Sequence, residues 1–382
     1  MKRMKLVLVG NGMAGVRTLE ELLKIAPDLY DITIFGAEPH PNYNRILLSP
    51  VLAGEQTVEQ IVLNPLSWYE EHGITLHRGK KVARIDRVKR VVLAEDGTEA
   101  PYDRLLLATG SMPFILPVPG KDLAGVVAYR DIADTEAMID AATKYKHAVV
   151  IGGGLLGLEA ANGLMQRGMQ VTVVHIMPWL MERQLDDVAG GLLRQSLESR
   201  GIRFEIGAQT EALIPDKDGR VMAVRFKDGR EIPADLVVMA AGIKPNTTLA
   251  KTMGLLCAQD GRGGIVVSDT LQTTTDARIY AVGECAAHRG IAYGLVAPLF
   301  EQGKVCATHL AQFGIGRYTG SQTSTKLKVT GIDLFSAGNF MGGKLDEGYE
   351  EIVMSDPFGG VYKKLVIKDD KLVGACLYGD TV

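Results

Sequence analysis

The sequence predicts an α/β protein built from two copies of one strand–turn–helix unit, followed by a smaller third region. Three observations predict it. Two glycine turns of one type, Gly10-Asn11-Gly12-Met13-Ala14-Gly15 and Gly152-Gly153-Gly154-Leu155-Leu156-Gly157, each follow an apolar run and lead into a helix-like stretch. A buried-type strand ending in a small residue and glycine closes each copy, at Thr109-Gly110 and at Ala241-Gly242. Past Gly320 the pattern changes to short alternating runs.

In the first copy the run Leu6-Val7-Leu8-Val9 is the opening strand, 16–25 the helix, and Asp31-Ile32-Thr33-Ile34-Phe35 the second strand. Runs near 82–85 and 90–93 read as a hairpin, with Asp96-Gly97 as a further turn. Leu105-Leu106-Leu107-Ala108 is the closing strand, and the proline-rich 112–120 reads as a linker. The second copy repeats the plan: a strand over 148–151, a helix over 158–166, a strand over 170–174, a hairpin turn at Asp228-Gly229 and a closing strand over 236–240. A strand at 279–282 ends in Gly283-Glu284, and a helix follows over 296–312. Five short strands then make a small C-terminal domain of α+β or mostly β type. The expected partition is 1–115 with 243–318, then 116–242, then 319–382.

Composition bounds the function. At 382 residues, two or three domains can each bury a core. Forty-two basic against 45 acidic residues give a net charge of -3, which argues against a nucleic-acid binder. No stretch approaches the roughly 20 apolar residues of a membrane helix, and a cytoplasmic soluble protein is expected. Met1-Lys2-Arg3-Met4-Lys5 superficially resembles the start of a signal peptide, but the four-residue apolar run fits a first strand better. Cys257, Cys285, Cys306 and Cys376 form no Cys-x-x-Cys pair, so dithiol, zinc and iron–sulfur signatures are absent and no metal site is expected. Buried structural thiols are the reading.

The turns carry the chemistry. The first glycine permits the tight turn, the second lets backbone approach a pyrophosphate, and the third brings helix close to strand. A single such turn is often only a turn. Two in matched contexts point to two dinucleotides, on Gly10, Gly12, Met13, Ala14 and Gly15, and on Gly152, Gly154, Leu155, Leu156 and Gly157. Glu38 lies 23 residues past Gly15, at the end of the second strand, where a carboxylate accepts ribose hydroxyls. The matching position in the second copy is His175. It can bond a ribose hydroxyl or pair with a 2′-phosphate, or simply cap a loop.

The ordering GNGMAG, Glu38, LLLATG, GGGLLGLE, VVMAAGIKPN and TDARIYAVGE resembles the FAD-dependent pyridine nucleotide-disulfide oxidoreductases, two-dinucleotide flavoprotein reductases with two Rossmann-like domains. The resemblance implies FAD on the first turn and NAD(P)H on the second, with Thr109, Gly110 and Gly242 at the loops and Glu284, after Gly283, bonding the ribityl chain. It adds Arg45, Ser49, Val82 and Arg130 as FAD contacts, and Pro298 opening a helix aimed at the flavin. Glu159, one turn into the second helix, is the candidate catalytic residue that orients the nicotinamide, or else an ordinary helix carboxylate.

Within that superfamily, no cysteine precedes Cys257, which removes thiol-relay chemistry. The segments Tyr43-Asn44-Arg45-Ile46-Leu47-Leu48-Ser49 and 174–186 resemble the N-terminal flavin half of the large subunit of bacterial NAD(P)H-dependent nitrite reductase. That resemblance favours NADH and implies nitrate assimilation, with electrons leaving to an iron–sulfur or sirohaem domain or a separate acceptor protein. In related ferredoxin reductases a lysine follows the Leu-Ser; here Pro50 does, so that contact does not carry over. The alternatives are a stand-alone rubredoxin- or ferredoxin-type reductase, an oxidase using oxygen, and a protein that holds FAD and NAD(H) without turnover. A homodimer is compatible with all of them.

Overall fold

The computed structural model describes residues 2–382. Its contacts divide the chain into two compact units. One gathers the residues up to Arg45, Glu59–Met112 and Ile243–Ser321; the other gathers Ile46–Val58, Pro113–Gly242 and Gln322–Val382.

The first unit is organised by a five-stranded parallel sheet. Met4–Val9 lies at its centre, with Tyr30–Gly36 and then Thr75–Arg78 on one side, and Arg104–Leu107 and then Ile279–Ala281 on the other. Register pairs Val9 with both Phe35 and Leu107, so the three central strands end together beside the glycine turn. Leu6, Leu8, Leu105, Leu106 and Leu107 are fully buried, the near-continuous apolar pattern of strands covered on both faces. The Met13–Ile25 helix follows the turn, and the Val296–Leu310 helix packs on it. That approach is close: a Cβ on Gly303 would stand 2.9 Å from Thr18 Oγ1. The expected hairpin is there, as Val82–Asp86 paired with Val91–Ala94, with a third strand at Glu99–Pro101.

The second unit repeats the sheet. His147–Ile151 is central, Gln170–His175 and Arg203–Ile206 lie on one side, and Leu236–Met239 and Val126–Ala128 on the other. Ile151 pairs with Val174 and Met239, as Val9 pairs with Phe35 and Leu107. A three-stranded antiparallel insertion precedes the closing strand in both units. The duplication read from the glycine turns is therefore a duplication of whole sheets.

The C-terminal strands make one antiparallel five-stranded sheet, ordered Ser324–Val329, Ile332–Gly338, Lys371–Tyr378, Val361–Lys368, Tyr349–Asp356. Among the described residues its helical content is one 3-10 turn at Leu345–Glu347, so the mostly β form is the one adopted. Along Val361–Lys368 the period of two turns Tyr362, Lys364 and Val366 inward. A lysine on an inward face needs a partner, and Asp186 supplies it. Tyr362 Oη donates to Asp186 Oδ2 at 2.6 Å and Lys364 Nζ lies 3.4 Å from the same oxygen.

Among the described residues no helix is long and apolar enough to cross a membrane.

Candidate functional site

The two glycine turns have the same local geometry. Gly10 and Gly152 take φ of +106° and +123°, the left-handed region that favours glycine. A Cβ on Gly10 would stand 2.1 Å from Ala108 O, and one on Gly152 2.0 Å from Ala240 O. Each closing strand thus runs directly beneath the first glycine. Gly15 has its own constraint, since a Cβ there would meet Ala108 Cβ and Leu8 Cδ1 at 2.9 Å. On Gly157 a Cβ would stand 1.9 Å from Gly152 O.

The second glycines differ from the others. A Cβ on Gly12 or Gly154 would find nothing within 4 Å. Both are helix N-caps with extended backbone and no side-chain cap. The first helical bonds are Val16 N–H to Gly12 O and Leu158 N–H to Gly154 O. The amides of Met13, Ala14 and Gly15, and those of Leu155, Leu156 and Gly157, therefore precede the helical ladder. Open space above uncapped helix N-termini fits a dinucleotide pyrophosphate at each turn.

Further residues gather at the first turn. A Cβ on Gly283, at φ +87°, would lie 2.9 Å from Ala14 Cβ, which puts the Gly283–Cys285 turn and its Glu284 beside the fingerprint helix. Gln302, fully buried on the Val296–Leu310 helix, accepts the Gly283 N–H at 3.0 Å through Oε1. Sequence reading missed Gln302; its one signal was the helical spacing from Pro298, which is buried in the first turn. Thr109 Oγ1 donates to Asn246 O at 2.8 Å, and Gly110 O accepts the Asn246 N–H at 2.9 Å. Val82 is a buried strand residue.

Glu38 and Arg45 are brought to each other. The Arg45 guanidinium pairs with Glu38 Oε1, Tyr43 Oη donates to Glu38 Oε2 at 2.8 Å, and Arg45 also donates to Tyr43 Oη at 2.7 Å. Asn11, the second residue of the turn, accepts from Tyr69 Oη at 2.8 Å. Tyr69 Oη in turn accepts the Asn42 N–H at 3.0 Å, and Asn42 Nδ2 donates to Asn64 Oδ1 at 2.9 Å. This buried amide chain fixes the turn from below. Its residues lie far apart in sequence and leave no motif.

At the second turn His175 ends its strand, as expected, but its ring faces inward. Nδ1 accepts the Gly153 N–H at 2.9 Å, and Nε2 lies 2.9 Å from Glu182 Oε2. A Cβ on Gly153 would stand 2.7 Å from His175 Cγ, so the ring explains the middle glycine of the Gly-Gly-Gly run. Gly242 has φ +122° in the loop after the closing strand. Leu156 is exposed on the first turn of its helix, while Leu155 is half-buried.

Glu159 forms a polar cluster within this unit. Ser49 Oγ donates to Glu159 Oε2 at 2.7 Å and lies 3.1 Å from Tyr129 Oη. One hydroxyl has one hydrogen, so Tyr129 is the donor to Ser49. Arg130 follows Tyr129 in chain; its N–H donates to Asp134 Oδ2 at 2.8 Å, beside the capped start of the Ile132–Lys144 helix. Burial raises the Glu159 carboxyl above its usual range, and the Ser49 bond opposes that. A raised folded value gives stability that is full below the unfolded value, near 4.5, and lost as pH rises through the folded value. Glu159→Gln is therefore expected to raise the melting temperature at pH 7–8. The gain should vanish below about pH 4.5, which thermal scans across pH would check.

All four cysteines are buried and free. Burial pushes every thiol up, Cys376 to about 11. None has the thiolate character that redox relays need.

Comparison with known proteins gives these turns a lineage. Residues 324–382 match the Rubredoxin NAD+ reductase C-terminal domain. The chain is 53% identical over 381 residues to the nitrite reductase [NAD(P)H] of Bacillus subtilis (strain 168), covering 100% of this chain and 46% of that protein. It is 48% identical over 383 residues to the assimilatory nitrate reductase electron transfer subunit of the same organism, covering 100% and 48%. It thus spans a little under half the length of these two relatives. The NADH:rubredoxin oxidoreductase of Clostridium acetobutylicum superposes with a TM-score of 0.82 at 26% identity, covering 99% of this chain and 92% of that one. The reductase in the covalent putidaredoxin reductase–putidaredoxin complex does so at 0.85 and 27%, covering 99% and 90%. With residues 4–312, which hold both glycine turns, matching the family described as Pyridine nucleotide-disulphide oxidoreductase, the chain belongs to that family.

Proposed function

We propose that the chain is an NAD(P)H-dependent FAD oxidoreductase that passes electrons outward to an iron–sulfur or haem acceptor. The observation that carries this reading is the pair of matched turns with open second glycines, in a chain whose thiols are all buried. FAD, when bound, supplies the hydride-accepting and electron-releasing chemistry. The chain's residues supply position and field. The Met13–Ile25 helix offers its free amides to the FAD pyrophosphate, and the Glu38–Tyr43–Arg45 cluster its polar groups to the adenosine end. Gln302 holds the Gly283 turn, and Glu284 faces the ribityl chain. The Leu155–Gln166 helix takes NAD(P)H, with NADH preferred, and Glu159 orients the nicotinamide. The sheet over 319–382 is an appended module, separate in role from the FAD part (1–115 with 243–318) and the NAD(P)H part (116–242).

The names of the two Bacillus relatives support electron input to assimilatory nitrite or nitrate reduction; a cytoplasmic location is part of the same proposal. The acceptor would then be an iron–sulfur or sirohaem domain, or a separate protein. The match over 324–382 favours a second reading, a reductase of rubredoxin or ferredoxin type. A homodimer is compatible with either. The FAD-loaded chain, given NADH with ferricyanide, cytochrome c and rubredoxin in turn, is expected to reduce these one-electron acceptors. Rapid NADH loss in air without a carrier would instead mark an oxidase, and no turnover with any acceptor would contradict the proposal.

Thiol chemistry has no place in this scheme. Treating the native protein with N-ethylmaleimide is expected to leave NADH-driven ferricyanide reduction within about twofold of the untreated rate. A rate that falls in proportion to one modified cysteine would contradict it.

A further inference from the structure

The carboxylate expected at the end of the second copy's second strand is missing, because His175 stands there. The structure brings another carboxylate to the place. Met181, at φ +52° and buried, donates its N–H to Gly153 O at 3.0 Å. This left-handed residue is uncommon outside glycine. It turns the chain so that the next residue, Glu182, meets the His175 ring. Gly153 is thereby held on both sides: its N–H by His175 Nδ1 and its C=O by Met181. With Nδ1 accepting, the neutral ring carries its proton on Nε2 and donates it to Glu182. The loop is anchored further on: Trp179 Nε1 donates to Leu185 O at 2.9 Å, and Asp186 caps the Asp187–Ser199 helix.

The histidine side chain is 8% exposed and the glutamate 22%. Glu182 is therefore the outward end of a buried relay that begins on the fingerprint backbone. His175 uses one of the carboxylate's several acceptor positions. The rest suit a vicinal diol, whose two hydroxyls donate, and repel a 2′-phosphate, which brings negative charge. Arg183, the adjacent residue, is exposed and is the one neighbouring cation in this turn.

We infer that Glu182, positioned by His175, is the adenosine-ribose acceptor and makes the second site select NADH over NADPH. This rests on the reading of that turn as the NAD(P)H site. The carboxylate has moved seven residues along the chain, with an imidazole as the spacer.

Calorimetric titration of the FAD-loaded protein with ADP-ribose and with 2′-phospho-ADP-ribose tests this without turnover. The unaltered protein is expected to bind ADP-ribose about 100-fold tighter than the phosphorylated form. Glu182→Gln, nearly isosteric, should weaken ADP-ribose about tenfold and, with the charge repulsion gone, tighten the phosphorylated form about threefold, which brings the two ligands within about threefold of each other. Adding His175→Asp to that variant should restore discrimination, since the carboxylate then sits at the strand end. Unchanged flavin content and melting temperature establish that each variant is folded. An unchanged ratio in Glu182→Gln would overturn the inference, as would equal binding by the unaltered protein or control by Arg183→Gln instead. If neither ligand binds the unaltered protein, the reading of the turn itself fails, and the inference with it.

Discussion

Gly154→Asp is expected to abolish useful NADH binding, about 100-fold weaker or more, while leaving FAD bound. Gly12→Asp is expected to do the reverse, yielding a colourless protein that still binds NADH. Both substitutions are sterically free, because a Cβ at either position meets nothing within 4 Å. Both positions are helix N-caps with extended backbone, where aspartate is among the favoured residues. The new carboxylate would accept the free amides of its own helix and hold the fold at least as well as glycine. It would also fill the anion position with a charge of the same sign as the pyrophosphate, and so exclude the ligand. Loss of ligand without loss of stability separates a binding role from a folding role. Gly10→Ala is the contrasting control. Its Cβ would collide with Ala108 O, so that variant should fail to fold. Flavin absorbance and NADH fluorescence titrations on the two aspartate variants read both effects. Gly154→Asp binding NADH like the unaltered chain would remove the second turn from the account.

Asp186→Ala carries the second large effect, on stability. Asp186 does three things at once: it caps the Asp187–Ser199 helix through Ala189 N–H at 2.9 Å, accepts from Tyr362, and faces Lys364. The Asp186 and Lys364 side chains are 3% and 8% exposed. Removing one member leaves a buried charge poorly compensated, at a cost of about 3–5 kcal/mol. Lys364 keeps Met341 O and the Glu351 carboxylate at 3.4 Å, which places the loss toward the lower end. Burial and the Asp186 bond both push the Tyr362 phenol up, so it remains a donor through the working pH range. The expected result is early thermal unfolding, with trypsin cutting within 322–382. Asp186→Asn with Lys364→Met keeps the cap and removes the buried charge, and should recover most of the loss. A fully stable Asp186→Ala protein would show that the pair does not hold the C-terminal sheet.

Much of this was legible in the sequence because local rules carry it. The glycine turns, the flanking apolar runs and the Asp228-Gly229 turn each announce their own backbone, and the duplication follows from their order. At the first turn Gly283 lies against Ala14, and Thr109 lies beside Gly10. What could not be read depends on contacts between residues distant in sequence or on a single unusual dihedral. Gln302 reaches Gly283 across a helix packing. Asn11, Tyr69, Asn42 and Asn64 meet from four separate segments. Glu182 reaches His175 because Met181 turns left-handed, which no spacing rule announces. Arg45 and Glu38, assigned separate contacts from the sequence, pair with each other, since a loop of six intervening residues brings opposite charges within reach.

Anaerobic titration of the FAD-loaded chain with NADH, followed by visible flavin absorbance, tests directly whether hydride passes from NADH to the flavin. The yellow colour is expected to be lost at about one equivalent of NADH per flavin and to return when ferricyanide is added. A protein that binds both FAD and NADH yet stays yellow at saturating NADH would contradict it.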